Sequence, residues 1–164
     1  MSAAGRAKQI AVIGSGRCEQ DSELARLAEQ VGEGVARADA VLVCGGLGGV
    51  MEAASRGAAE AGGTVLGILP ATALEDANPH CTLVVATGIG HGRNLAVVSS
   101  AEAVIAVGGE WGTLSEIGFA RAIGRTVIAL RSWTLSGEGP MESAPGIVPT
   151  TTPDEAVRAA LDAI

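Results

Sequence analysis

Six short runs rich in β-branched residues, at Ile10–Ile13, Val41–Cys44, Val65–Leu69, Leu83–Val85, Val104–Val107 and Val127–Leu130, alternate with Ala-rich segments of helical length. Strands separated in this way cannot pair through tight hairpins. They pair side by side in parallel, joined by right-handed crossovers that lay helices over the sheet. The expectation is an α/β domain over residues 9–164, preceded by a flexible N-terminus at 1–8. Leu24, Leu27, Ala28 and Val31 recur at helical spacing in the first helix, which starts at Asp21 or Ser22. Further helices are expected near Val50–Ala61, Asn94–Ser100 and Thr113–Ala122. The last opens at Thr152-Pro153-Asp154-Glu155, an N-cap followed by a first-turn proline and a carboxylate. Arg131 to Pro149, rich in Ser, Gly and Pro, reads as a loop over the sheet.

In a parallel sheet all strand carboxyl ends share one edge, and here that edge is lined with glycine turns. Gly14-Ser15-Gly16-Arg17 follows the first strand, Gly45-Gly46-Leu47-Gly48-Gly49 the second, Gly88 to Asn94 the fourth and Gly108 to Thr113 the fifth. One such turn is ordinary, whereas four on one edge imply close approach of backbone to a ligand. The stretch Gly108-Gly109-Glu110-Trp111-Gly112-Thr113-Leu114-Ser115-Glu116 says most, because it joins an apolar strand to a helix, where backbone N–H groups and the helix dipole attract an anion. Thr113 and Glu116 admit two readings. They are ligand-facing groups, or they form a Thr-x-x-Glu capping box that satisfies backbone donors.

Composition removes several classes of function. The 164 residues carry a net charge of −7, which argues against nucleic-acid polymers and anionic membranes, since both call for clustered Lys and Arg. No apolar run approaches the roughly 20 residues of a membrane span, and Met1 to Lys8 lacks a signal-peptide core; a cytoplasmic protein is expected. Apolar residues make up 48% but aromatic residues only 2%, so the core must be aliphatic. Cys18, Cys44 and Cys81 show neither disulfide nor zinc spacing, and Cys44 reads as a small core residue. The first glycine turn lacks the third glycine of a dinucleotide fingerprint, and the second strand ends in Cys44-Gly45 instead of an acidic ribose ligand. Lys8, the sole lysine, precedes the first strand, which removes both a Walker-type phosphate loop and pyridoxal phosphate catalysis. No Gly-x-Ser-x-Gly elbow or metal-ligand spacing is present, so no metal is expected, and His91 reads as a crevice loop residue.

The stretches Gly45 to Met51 and Gly108 to Glu116, with Arg93-Asn94 between them, resemble the Lonely Guy family, once labelled lysine decarboxylase-like. Gly112-Thr113, Glu116 and Arg93 match the family pattern. Gly108 stands at its proline, Glu110 at a glycine and Asn94 at its lysine, and the Gly-Gly-x-x-Gly-Thr-Leu-Ser-Glu-Ile form from Gly108 to Ile117 is closer to a sub-branch similar to molybdenum cofactor carrier proteins and to related bacterial proteins of unsettled function. The resemblance implies a Rossmann-like, doubly wound parallel sheet, a homodimer or homotetramer, and a phosphorylated nucleotide-like small molecule as ligand. Decarboxylation is not implied. In the enzyme branch the reaction is hydrolysis of the base–ribose bond of a purine nucleoside 5'-monophosphate, with Glu116 holding ribose and activating water and Arg93 stabilising the departing base. Gly109, Gly112 and Thr113 would cradle the phosphate, with Gly14, Ser15, Gly45, Gly46, Gly49, Met51, Asn94 and Gly108 completing the ligand site. The alternative is a non-catalytic carrier or nucleotide sensor; no resident cofactor is required, and molybdenum cofactor is the cargo in the carrier case. Glu110 works against an anion unless its carboxylate points away. For assembly, Met51, Ala54, Ala58 and Ala61 form an apolar stripe that faces either a symmetry mate or the chain's own sheet.

Overall fold

The computed structural model describes residues 5–135 and 146–164. Strands β1 (Gln9–Gly14), β2 (Val41–Cys44), β3 (Val65–Leu69), β4 (Leu83–Ala86), β5 (Ala103–Val107), β6 (Thr126–Leu130) and β7 (Ile147–Thr150) form one sheet in the order β4-β3-β2-β1-β5-β6-β7. Every neighbouring pair is parallel. Strand order reverses at β1, which pairs with β2 on one side and with β5 on the other. The doubly wound, Rossmann-like expectation is met, and the reversal at β1/β5 is where such a sheet opens a crevice.

Helices α1 (Glu23–Arg37), α2 (Val50–Glu60) and α5 (Pro153–Asp162) cover one face, their buried residues clustering with Ile10, Val12, Leu42, Ile105, Ile128 and Leu130. Helices α3 (Arg93–Ser99) and α4 (Trp111–Ala122) cover the other, against Ala11, Ile13, Val43, Val104 and Val127. Alternate residues of a strand point to opposite faces, so each central strand feeds both clusters and must be apolar throughout. Ser22 caps α1, its hydroxyl accepting the Ala25 N–H at 3.2 Å, and Thr152 caps α5 in the same way through Glu155 N–H at 3.2 Å. Cys44 is fully buried beneath the site, and its sulfur lies 3.4 Å from the Ser55 hydroxyl.

One expectation is corrected and one choice between readings is decided. The expected loop from Arg131 to Pro149 ends in a seventh strand, β7, whose Val148 registers with Ile128 of β6. A four-residue strand containing Pro149 carries little strand signal, yet proline is tolerated there because β7 is an edge strand whose outer side needs no ladder donor. The remainder of that loop, residues 136–145, lies outside the described residues. Of the stripe on α2, Met51, Ala54 and Ala58 are 8%, 0% and 0% exposed and pack within the chain's own core, the second of the two readings, while Ala61 at the end of the helix is exposed. Of the expected flexible N-terminus, residues 1–4 lie outside the described residues, and Arg6 Nη2 contacts Glu102 Oε1 at 2.8 Å. Among the described residues no helix is long and apolar enough to cross a membrane.

Candidate functional site

A crevice of about 180 Å³ opens at the carboxyl ends of β1 and β5, lined by Gly14, Ser15, Gly16, Gly45, Met51, His91, Arg93, Asn94, Glu110, Gly112, Thr113 and Glu116, with Val12 and Ile13 at its base. Glycine at position 14 follows from packing: a Cβ there would sit 2.4 Å from the Val107 carbonyl and 2.6 Å from Val50 Cγ1. Gly49 has φ +64°, and a Cβ would meet the Ser15 carbonyl at 2.2 Å. That close approach lets Val50 N–H donate to Ser15 O at 2.9 Å and draws the start of α2 under the β1 turn.

Arg93 at the start of α3 and Glu116 within α4 face each other across the crevice floor. Both are buried, at 8% and 7% exposure, and Arg93 Nη1 lies 3.9 Å from Glu116 Oε1. The same Nη1 donates to Asn94 Oδ1 at 2.6 Å, while Arg93 Nε is buried with no partner among the described residues. Burial pushes the Glu116 carboxyl from 4.5 up to about 7 against the opposing pull of Arg93, and burial pulls the Arg93 guanidinium below its ordinary value. A desolvated cation with a donor unused is chemically suited to holding an anion.

Helix α4 presents its N-terminus to the same crevice, and the backbone N–H groups of its first turn have no intrahelical acceptors. The capping question is resolved in an unexpected way. The N-cap is Glu110, and Thr113 Oγ1 accepts the Glu110 N–H at 3.2 Å. Glu116 lies one turn further along and faces Arg93, so it is not half of a Thr113–Glu116 box. The Glu110 carboxylate accepts the Ser15 hydroxyl at 2.8 Å, tying the β5 turn to the β1 turn across the mouth. Residues 95 apart in the chain make this bond, and no local pattern announces it.

Of the residues singled out in the sequence, Gly14, Ser15, Gly45, Met51, Arg93, Asn94, Gly112, Thr113 and Glu116 line the crevice together. Gly46 stands behind them, where a Cβ would meet Leu69 Cδ2 at 2.7 Å, and Gly49 holds α2 in place. Gly108 and Gly109 line a neighbouring pocket. Gly16, quoted only as part of its turn, and His91, in a short 3-10 turn after β4, join the lining.

An uncharacterised protein of Archaeoglobus fulgidus is 43% identical to this chain over 149 residues, 91% of each. The structure of the molybdenum cofactor binding protein of Rippkaea orientalis superposes with a TM-score of 0.84 at 30% identity, covering 97% of this chain and 98% of that one. The molybdenum cofactor carrier protein of Chlamydomonas reinhardtii gives a TM-score of 0.82 at 26% identity, with 96% and 98% covered. The resemblance to Lonely Guy-like proteins, and to their carrier sub-branch, is borne out. Residues 7–157 match the SLOG cluster4 family, and the protein belongs to that family.

Proposed function

We propose that this protein holds an anionic, phosphate-bearing cofactor of the molybdenum-cofactor kind in the β1/β5 crevice and acts as its carrier. The observation that carries the reading is the buried Arg93 guanidinium, whose Nε has no partner among the described residues, beside the helix N-terminus of α4. Gly112 leaves the approach open, since a Cβ there would meet nothing within 4 Å. The Glu110 carboxylate lines the same crevice and is held at its mouth by the Ser15 hydroxyl, so Arg93 and the helix N-terminus must hold the anion against its repulsion. Two structural neighbours bind molybdenum cofactor, and the acidic surface fits a small ligand better than a nucleic-acid polymer.

Hydrolysis of a nucleoside 5'-monophosphate is the second reading, favoured by one observation: a carboxyl raised to about 7 suits a general acid or base near neutral pH. Against it, Arg93 and Glu116 are adjacent at 3.9 Å, and in this arrangement they do not flank a scissile bond. We also infer a homo-oligomer, whose interface does not use the buried residues Met51, Ala54 and Ala58 of α2.

Incubation with cofactor released from a molybdoenzyme, followed by gel filtration, tests the proposal. Stoichiometric cofactor should elute with the protein, and Arg93→Met should weaken retention by about 2 kcal/mol, the worth of a charge-assisted hydrogen bond. Release of free base from AMP, with no cofactor retained, would replace the carrier reading by the hydrolase.

A further inference from the structure

Beside the crevice lies a second pocket of about 320 Å³, lined by Gly108, Gly109, Arg131, Ser132, Trp133 and Thr134. The two cavities adjoin at Gly109 and Glu110, neighbours about 3.8 Å apart along the backbone. Glu110 connects them, for its side chain lines the first pocket while its carbonyl accepts the Trp133 indole N–H at 3.3 Å.

Three observations give this pocket a ligand's chemistry. Trp133 stands against Trp111 with ring centroids 5.4 Å apart and planes at 37°, and these are the only two tryptophans of a chain with no tyrosine and one phenylalanine. A protein that builds its core from aliphatic residues has placed both indoles together at the functional edge, Trp111 with 77% of its surface in solvent. Exposed indoles are a stacking surface for flat π-systems. Second, Ser132 Oγ is buried without a hydrogen-bond partner among the described residues, the same condition as Arg93 Nε in the adjoining crevice. Buried polar atoms are nearly always paired, so each cavity holds a group that lacks its counterpart. Third, Arg131 takes φ +53°, a left-handed conformation uncommon outside glycine, at the turn that forms the pocket wall.

We propose that this pocket is the ring subsite of the same binding site: it takes a flat, bicyclic nitrogen heteroaromatic of the purine or pterin type, carried by a ligand whose phosphate sits against Arg93 and the start of α4. Trp133 provides the stacking surface, and the Ser132 hydroxyl bonds a heteroatom on the ring edge. The inference rests on the reading of the crevice as a phosphate site.

Calorimetry with inorganic phosphate, ribose 5-phosphate, GMP and a 6-substituted pterin monophosphate separates the two ideas, with tryptophan emission as a second readout because Trp133 lines the pocket and Trp111 stands against it. The ring-bearing monophosphates should bind about tenfold or more tighter than ribose 5-phosphate and change the emission, and the tighter of the two identifies the ring. Trp133→Leu should abolish the gain while phosphate affinity is unchanged, with Trp111 left as reporter of folding; Ser132→Ala should lower ring affinity severalfold without altering phosphate binding. Phosphate binding with no gain from a ring, or a Trp133→Leu protein that keeps the gain, overturns the ring subsite alone. Absence of phosphate binding to wild type removes the crevice reading, and the subsite with it.

Discussion

At Glu116, burial outweighs the attraction of Arg93, and the carboxyl moves from 4.5 to about 7. Between those values the folded chain keeps a proton that the unfolded chain has released, so stability falls as pH rises through the window. Above pH 7 the whole penalty is present, on the order of 3 kcal/mol. Glu116→Gln should remove it: urea unfolding at a series of pH values should show the variant gaining on wild type from pH 5 to pH 8, and a constant difference would contradict the burial argument. The same titration lowers the net charge of the crevice by one, so sulfate affinity should drop between pH 6 and pH 8 in wild type and stay level in the variant. At this scale Arg93 and Glu116 are legible in the sequence because the motif places both charges at a glycine-rich edge. The Ser15–Glu110 bond is not, since a contact between residues so far apart exists only once β1 and β5 pair.

Helices α1 and α2 meet backbone to backbone. A Cβ on Gly32 would lie 2.0 Å from the Ala54 carbonyl oxygen, and one on Gly57 would lie 2.0 Å from that of Glu29. Such contacts cannot relax by side-chain rotation, so Gly32→Ala should destabilise the fold by about 2 kcal/mol. Gly118, in the interior of α4, has no positive φ, and a Cβ there would meet nothing within 4 Å, so Gly118→Ala should stabilise by about 0.5–1 kcal/mol. Thermal unfolding of the two variants checks both signs, and equal effects would refute the packing account. Elements with strong local signals lie within a residue or two of where the sequence places them: the spacing in α1, the β-branched runs of β2 and β3, and the Thr152-Pro153 start of α5. Helix α4 begins two residues before its expected start at Thr113, because its N-cap is Glu110, an uncommon residue type for that role. Strand β7 is hidden in the sequence by Pro149 and by its shortness; only the free edge of β6 makes a strand of it.

For the whole molecule, the alternation of strands and helices already implies a parallel sheet with its crevice at one edge, and the order reversal at β1 explains why the turns after β1 and β5 carry the site. What alternation does not reveal is which helical face stays open. Met51, Ala54 and Ala58 of the stripe on α2 are consumed by the core, whereas Leu95 on α3, Phe119 on α4 and Ile123 just beyond it are 41%, 40% and 41% exposed. If the expected dimer or tetramer uses that face, sedimentation at micromolar concentration should show an oligomer that Phe119→Glu dissociates, whereas a wild-type monomer would contradict the expectation. The central claim is that Arg93 and the N-terminus of α4 together form an anion site. A crystal structure determined in the presence of phosphate tests it most directly: the account expects the anion bonded to the Gly112 backbone N–H and within reach of Arg93 Nε, and a crevice without it, with phosphate bound elsewhere on the chain, would contradict the account.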